Sequence, residues 1–230
     1  MQAITEVLRL PSPAPRPQAL AFDGETLWMG SIETNCVYEI DPVRWTVRAQ
    51  TQAPGPIWGL TVTGDELRAI VGENDDDIRS ILPLIPGHGF RLSHRLACPE
   101  NTGSQLSYDG DRLYLSQWYN KRILSIDAQG IVGTTIPTPR GICGQVFVDG
   151  VFFVLNTDDE NTDEYYLTRI DARSSTVQTT DLAKIPFAAR ALAYDGRRFW
   201  TNHREQHEIV AFTVSEPGKS ELSLARRTFS

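Results

Sequence analysis

The sequence predicts an all-β chain: one closed, five-bladed β-propeller built from four-stranded antiparallel blades. Three observations carry that prediction: a hairpin pattern that recurs five times, Asp-Gly turns at matching places, and a strand that repeatedly closes on proline. Segments 20–31 (LAFDGETLWMGS), 60–71, 106–117, 146–157 and 192–203 superimpose without gaps as an apolar strand, a tight turn and a second apolar strand. Their turn glycines are Gly24, Gly64, Gly110, Gly150 and Gly196, spaced by 40, 46, 40 and 46 residues. A period of some tens of residues marks a repeat architecture, and a β-sandwich would not produce it.

The first two strands of each repeat follow from the turn. Four turns read Asp-Gly, at Asp23, Asp109, Asp149 and Asp195, and both residue types tolerate positive φ, so each predicts a hairpin. A third strand follows at 36–41, 122–127, 166–171 and 208–214, and a fourth at 46–54, 90–99, 130–139 and 176–186. Each fourth strand closes on a proline, which has no N–H to continue a ladder. Four antiparallel strands per repeat describe a propeller blade. The blades then fall at about 16–54, 55–99, 100–139, 140–186 and 187–230 in a single domain. Segment 4–13 has the fourth-strand pattern but precedes the first hairpin, so it is expected to close blade five as a clasp between the termini. The tail 221–230 has a similar pattern, and either strand or both can complete that blade.

Bulk properties narrow the function. A net charge of -7 lacks the basic face that a general nucleic-acid binder needs, so no nucleic-acid partner is expected. No apolar run approaches the span of a bilayer and the N-terminus lacks a leader pattern, which predicts no membrane association and a cytoplasmic, monomeric protein. Cys36, Cys98 and Cys143 are odd in number and widely spaced, and are expected to be buried free thiols.

In a propeller the fourth-to-first and second-to-third connections open on one face around the axis, where function is usually built. Gln18, Trp58, Ser104, Gly144 and Arg190 stand six residues before their turn glycines, and Ala19, Gly59, Gln105, Gln145 and Ala191 follow them. The expected ligand pocket is Gln18, Trp58, Gln105, Gln145 and Arg190 below, with Trp118, Tyr119, Asn156 and His203 above. The plainer alternative is that the tryptophans pack between blades and the amides satisfy backbone groups. His203 and Glu205 are the candidate catalytic pair, since 203, 205 and 207 would share one side if the segment is extended rather than a loop, and histidine titrates near neutrality. Ordinary surface roles compete with that reading. The acidic runs at 73–77 and 158–164 suit solvated loops or a Ca²⁺ ion, so no cofactor is predicted and a divalent cation stays open.

The blade pattern, above all LAFDGETLWMGSIETNCVYEIDP (20–42) and LAYDGRRFWTNHREQHEIVAF (192–212), resembles the streptogramin lyase and glutaminyl cyclotransferase group of propellers over nearly the whole chain. The resemblance implies the fold, and it places Gln18 on the cyclotransferase family's glutamine. That family's catalytic glutamate falls at Met29. Streptogramin lyases use histidine and glutamate with a divalent metal, for which His203, Glu205 and His207 are the comparable residues here. Two functions are therefore expected to compete: a non-catalytic propeller binding a small polar molecule or a peptide, and a metal-assisted lyase or glutaminyl cyclotransferase-like enzyme in which His203 abstracts a proton.

Overall fold

The computed structural model describes residues 1–73, 78–162 and 164–214. Two N-terminal strands, β1 (Gln2–Ala3) and β2 (Thr5–Pro11), precede the blades. Blade one is β3 (Pro17–Phe22), β4 (Leu27–Ser31), β5 (Cys36–Asp41) and β6 (Thr46–Gln52). Blade two is β7 (Ile57–Thr63), β8 (Glu66–Glu73) and β9 (Ile78–Ile85), edged by the short β10 (Gly89–Phe90) and β11 (Leu96–Ala97). Blade three is β12 (Gln105–Tyr108), β13 (Leu113–Gln117), β14 (Arg122–Ile126) and β15 (Val132–Pro137). Blade four is β16 (Gly141–Val148), β17 (Val151–Thr157), β18 (Tyr165–Asp171) and β19 (Gln178–Ile185). Blade five is β20 (Ala189–Tyr194), β21 (Phe199–His203) and β22 (Glu208–Thr213), completed by β2 in antiparallel register from Thr5↔Thr213 to Pro11↔Glu208.

The five-bladed propeller is therefore as the repeat predicts, and the N-terminal clasp is present. The tail proposed as an alternative fourth strand lies outside the described residues. Two details differ from expectation. β1 adds in parallel to β19, so the N-terminal segment grips blade four before it closes blade five. The fourth strand expected at 90–99 is broken by a 3₁₀ turn at Leu92–His94. Its partner β9 carries Pro83, which offers only a carbonyl to the edge, and the backbone N–H of Arg91 donates to it.

Closure is visible in the core. Alternate side chains of a strand point to opposite faces, and in a propeller both faces of a blade meet a neighbour. In β21 and β22, Phe199, Val210 and Phe212 face blade four, while Trp200, Ile209 and Ala211 face blade one. Three further apolar clusters lie between blades one and two, two and three, and three and four. Each junction of neighbouring blades thus holds an apolar cluster, and the ring is shut. Cys36, Cys98 and Cys143 are free and buried within these clusters, as expected.

The turn aspartates do more than permit positive φ. Asp23, Asp109 and Asp195 each begin a four-residue turn whose carboxylate accepts two backbone N–H groups. The second carboxylate oxygen accepts from an aromatic donor in the next strand, at 2.8 Å in each case: Trp28 Nε1, Tyr114 OH and Trp200 Nε1. Asp149-Gly150 is instead a two-residue turn with both residues at positive φ, and Val154, at the matching place of its second strand, has no donor.

Removal of one such carboxylate should be costly. Asp195→Ala leaves the indole N–H of fully buried Trp200 without its acceptor and two turn amides uncapped, an expected loss of about 2–3 kcal/mol in denaturant unfolding. Burial pushes the Asp195 carboxyl up, but hydrogen bonds from Arg198, Trp200 and the turn outweigh it and hold the group below its usual range. A carboxyl depressed in the folded state stabilises the fold above its unfolded pKa of about 3.9 and loses that contribution as pH falls through the folded value. Stability should therefore fall below about pH 4, and less steeply in Asp195→Asn. An Asp195→Asn protein with the wild-type acid limb would contradict this assignment.

Candidate functional site

Four of the five innermost strands carry a register irregularity at the same end of the channel. The ladder shifts between Pro17 and Ala19 in β3, Ile57 and Gly59 in β7, Ile142 and Gly144 in β16, and Arg190 and Ala193 in β20. A bulge leaves one residue unpaired and re-aims it. The residues inside the first three shifts, Gln18, Trp58 and Cys143, all line one cavity of about 130 Å³ on the axis. Arg190 from β20 and Gln105 from β12 complete its floor, while Trp118, Tyr119 and Glu160 reach it from second-to-third connections. Arg79, Thr102, Ser104 and Ile142 fill the rest of the wall.

Polar contacts fix this wall. The Gln105 amide donates to the Trp58 carbonyl at 3.0 Å. Arg79 lies over the Trp58 ring with 3.7 Å to the centroid and donates to the Gly103 carbonyl at 2.6 Å. Arg204 donates to Gln18 Oε1 at 3.1 Å. Arg190, only 4% exposed, donates through Nη1 to Tyr165 OH at 2.5 Å and to the Ala189 carbonyl at 3.0 Å. Its Nη2 faces Glu160 Oε2 at 3.5 Å. Burial pushes the Cys143 thiol up to about 11, so it is neutral at physiological pH. Trp118 packs on Gly141, where a Cβ would meet its ring, and stands edge-on to Tyr119 at 5.0 Å.

Six of the nine residues of the expected pocket thus come together: Gln18, Trp58, Gln105, Trp118, Tyr119 and Arg190. The structure places Gln145 elsewhere, in a wider stretch of the channel of about 540 Å³, where it donates to the Tyr114 carbonyl at 2.6 Å. The cause lies in the turns. Measured from the last paired residue before the turn, Thr63 in blade two and Val148 in blade four, Trp58 and Cys143 occupy the same place. Counting from the turn glycines slipped by one residue, because Gly64 opens its turn and Gly150 closes its own. Asn156 is also outside the cavity: it donates to Thr168 and accepts from Arg140 in a network with Asp181.

The candidate catalytic pair is separated. His203 stacks on Phe187 at 4.8 Å and lies within 3.7 Å of Glu208. Glu205 pairs with Arg204 at 3.0 Å in a 3₁₀ turn, Arg204–Gln206. His207 accepts from the Arg16 backbone N–H at 3.0 Å. The 3₁₀ turn breaks the extended geometry that would have put 203, 205 and 207 on one side. Among the described residues, no group of three or more His, Cys, Asp or Glu is arranged to hold a metal ion, and of the acidic runs, 74–77 and 163 lie outside them. Met29, where the resemblance places the cyclotransferase glutamate, is fully buried among the apolar residues between blades five and one.

Wider clefts lie between blades. One of about 740 Å³ joins blades five and one, but its walls are turns and self-paired groups such as Asp41 with Arg48 and Asp195 with Arg198. Also among the described residues, no helix is long and apolar enough to cross a membrane.

No family model matches the chain, and no curated protein matches it. Among solved structures, the glutaminyl cyclase of Myxococcus xanthus superimposes with a TM-score of 0.70 at 11% identity, covering 93% of this chain and 97% of its own. A protein of unknown function from Bacteroides caccae matches with a TM-score of 0.55 at 9% identity over 81% of this chain and 70% of its own. Hydrazine synthase of Kuenenia stuttgartiensis matches at 0.52 and 15% identity, over 84% of this chain and 57% of the larger one. At these identities the likeness shows the fold, in agreement with the resemblance read from the blade pattern.

Proposed function

We propose that this protein is a non-catalytic binding propeller that receives a small polar molecule, or the end of a peptide, at the mouth of its channel. The observation that carries the reading is the convergence of Gln18, Trp58, Gln105 and Arg190 from four different blades on one cavity. Rigid strands position these groups, and an aromatic face beside a few buried polar hooks is the usual make-up of a small-molecule site. A volume of about 130 Å³ holds roughly four waters, well below a drug-sized pocket. The cavity therefore takes a small molecule or the tip of a larger one.

The enzymatic alternative draws on the fold of the Myxococcus glutaminyl cyclase. It lacks support at residue level, because Met29 stands where the cyclotransferase glutamate would be and His203 packs against Phe187 away from the cavity.

A panel of amino acids, small organic acids and amides, and short peptides, screened by thermal shift and then calorimetry, tests the reading. At least one class should raise the melting temperature of the wild type and bind Trp58→Ala at least tenfold more weakly, the loss of an aromatic anchor. Incubation of a glutaminyl peptide should yield no cyclised product. Binding unchanged in Trp58→Ala, or turnover of the peptide, would remove the proposal.

A further inference from the structure

We infer that the group this cavity receives is a carboxylate, and that Glu160 holds its place on Arg190 until the ligand displaces it. The inference rests on the binding reading above and adds the ligand's chemistry and a competitor within the chain.

The two partners of this ion pair are held very differently. Arg190 belongs to an innermost strand, is 4% exposed, and has Nη1 committed to Tyr165 OH and the Ala189 carbonyl, both neutral acceptors. A buried guanidinium needs an anion, since desolvation penalises an uncompensated charge. The carboxylate set against Nη2 is Glu160, whose side chain is 46% exposed and rides the connection between β17 and β18 outside any strand. Its one oxygen stands 3.5 Å from Nη2, whereas a formed guanidinium–carboxylate bond lies at about 2.7–2.9 Å. The cation is fixed and its counterion is a loosely placed substitute.

The rest of the wall favours an incoming anion. Arg79 is the second guanidinium there, stacked on Trp58, and among the lining residues Glu160 is the sole carboxylate. The Gln18 and Gln105 side chains are neutral, and the buried Cys143 thiol adds no negative charge. A ligand carboxylate that takes over Nη2 would pair with Arg190, with Arg79 elsewhere on the same wall, and release Glu160 to water, where a half-exposed carboxylate loses little. The size fits as well: the cavity admits a short acid or the carboxyl tip of a peptide, and a charge-assisted pair to a planar fork gives such a tip both affinity and orientation.

Matched acid and amide probes decide the matter: propionate against propionamide, and N-acetylglycine against N-acetylglycinamide, titrated by calorimetry into wild type, Glu160→Gln and Arg190→Gln. The acids should bind more tightly than their amides. Glu160→Gln should strengthen acid binding about tenfold by removing the competitor while leaving the amides unchanged, and Arg190→Gln should abolish the preference. Should Arg190→Gln fail to fold, the Glu160→Gln comparison decides alone. Amides that bind as well as acids, or acid affinity indifferent to Glu160→Gln, would overturn the inference. If the probes fail on wild type and Glu160→Gln alike while another neutral or cationic molecule binds in a Trp58-dependent way, the carboxylate inference falls and the binding site stands. If nothing binds, both fall.

Discussion

A chain that lacks residues 1–13 is expected to lose its stable monomeric fold, whereas one that lacks only residues 1–3 should melt within a few degrees of the full-length protein. The difference lies in what each piece holds. Residues 1–3 contribute β1, paired at two positions in parallel to β19. Residues 4–13 contribute β2, paired with β22 at six positions from Thr5 to Pro11, together with buried Ile4 and the Leu8 side chain packed between blades five and one. The segment also brings Ser12 N–H to the His207 carbonyl, the Pro11 carbonyl to Trp45 Nε1, and Arg9 to Glu208 and the face of Phe187. At about 1 kcal/mol per ladder hydrogen bond, the strand is worth several kcal/mol before burial is counted, a large share of the 5–15 kcal/mol that holds a typical domain. At roughly 2–4 °C per kcal/mol, the melting temperature should drop by more than about 10 °C. The exposed edge of β22 should also promote association. A synthetic peptide of residues 1–14 added to the truncated chain should restore the melting temperature by pairing with that edge. A truncated chain that melts within about 5 °C of the full-length protein would show that the ring does not depend on its clasp.

The fold was legible because its repeated features are local. An aspartate that caps its own turn and reaches an aromatic in the next strand does the same work in blades one, three and five, so the residues recur at fixed spacing. The candidate site was legible in large part for the same reason: its residues hang from repeated strands, and Gln18, Trp58, Gln105 and Arg190 could be aligned on the turns. What the residues did not disclose depends on contacts between blades or on exact turn length. Cys143 was missed because the turn glycine is a poor ruler when turns differ, and Gln145 was misplaced by the same slip. Arg79 lies at the start of a third strand, and its role comes from stacking on a tryptophan of another strand, a pairing with no fixed spacing. Glu160 was visible only as one of several loop carboxylates. The His203 and Glu205 pairing failed on a single 3₁₀ turn, which converts a shared strand face into two directions.

Gly144→Val should be strongly damaging, and Ala191→Gly should not rescue it. Innermost strands crowd as they approach the axis, and β16 comes so close to β20 that a Cβ on Gly144 would sit 2.5 Å from the Ala191 carbonyl carbon, 2.7 Å from its oxygen and 2.8 Å from the Leu192 nitrogen. All three are backbone atoms, so no side-chain rotation relieves the contact. The β20 backbone has little freedom to retreat: its ladder shifts here, Ala191 already holds φ at +59°, and Thr201 Oγ donates to the carbonyls of Arg190 and Ala191. Forcing the strands apart would also open the junction of blades four and five and displace Arg190 from Tyr165. Overpacking of a tight core costs about 1–3 kcal/mol when side chains can adjust, and a backbone collision should reach or exceed the upper end. For a chain of this length that is a fall of about 6–12 °C in melting temperature. Ala191→Gly relieves left-handed strain and removes a methyl group, yet leaves in place the carbonyl and amide that cause the clash, so the double variant should remain close to Gly144→Val. A double variant restored to wild-type stability would mean that the collision is with the Ala191 side chain or its backbone conformation, and that close backbone approach does not explain why glycine stands at position 144.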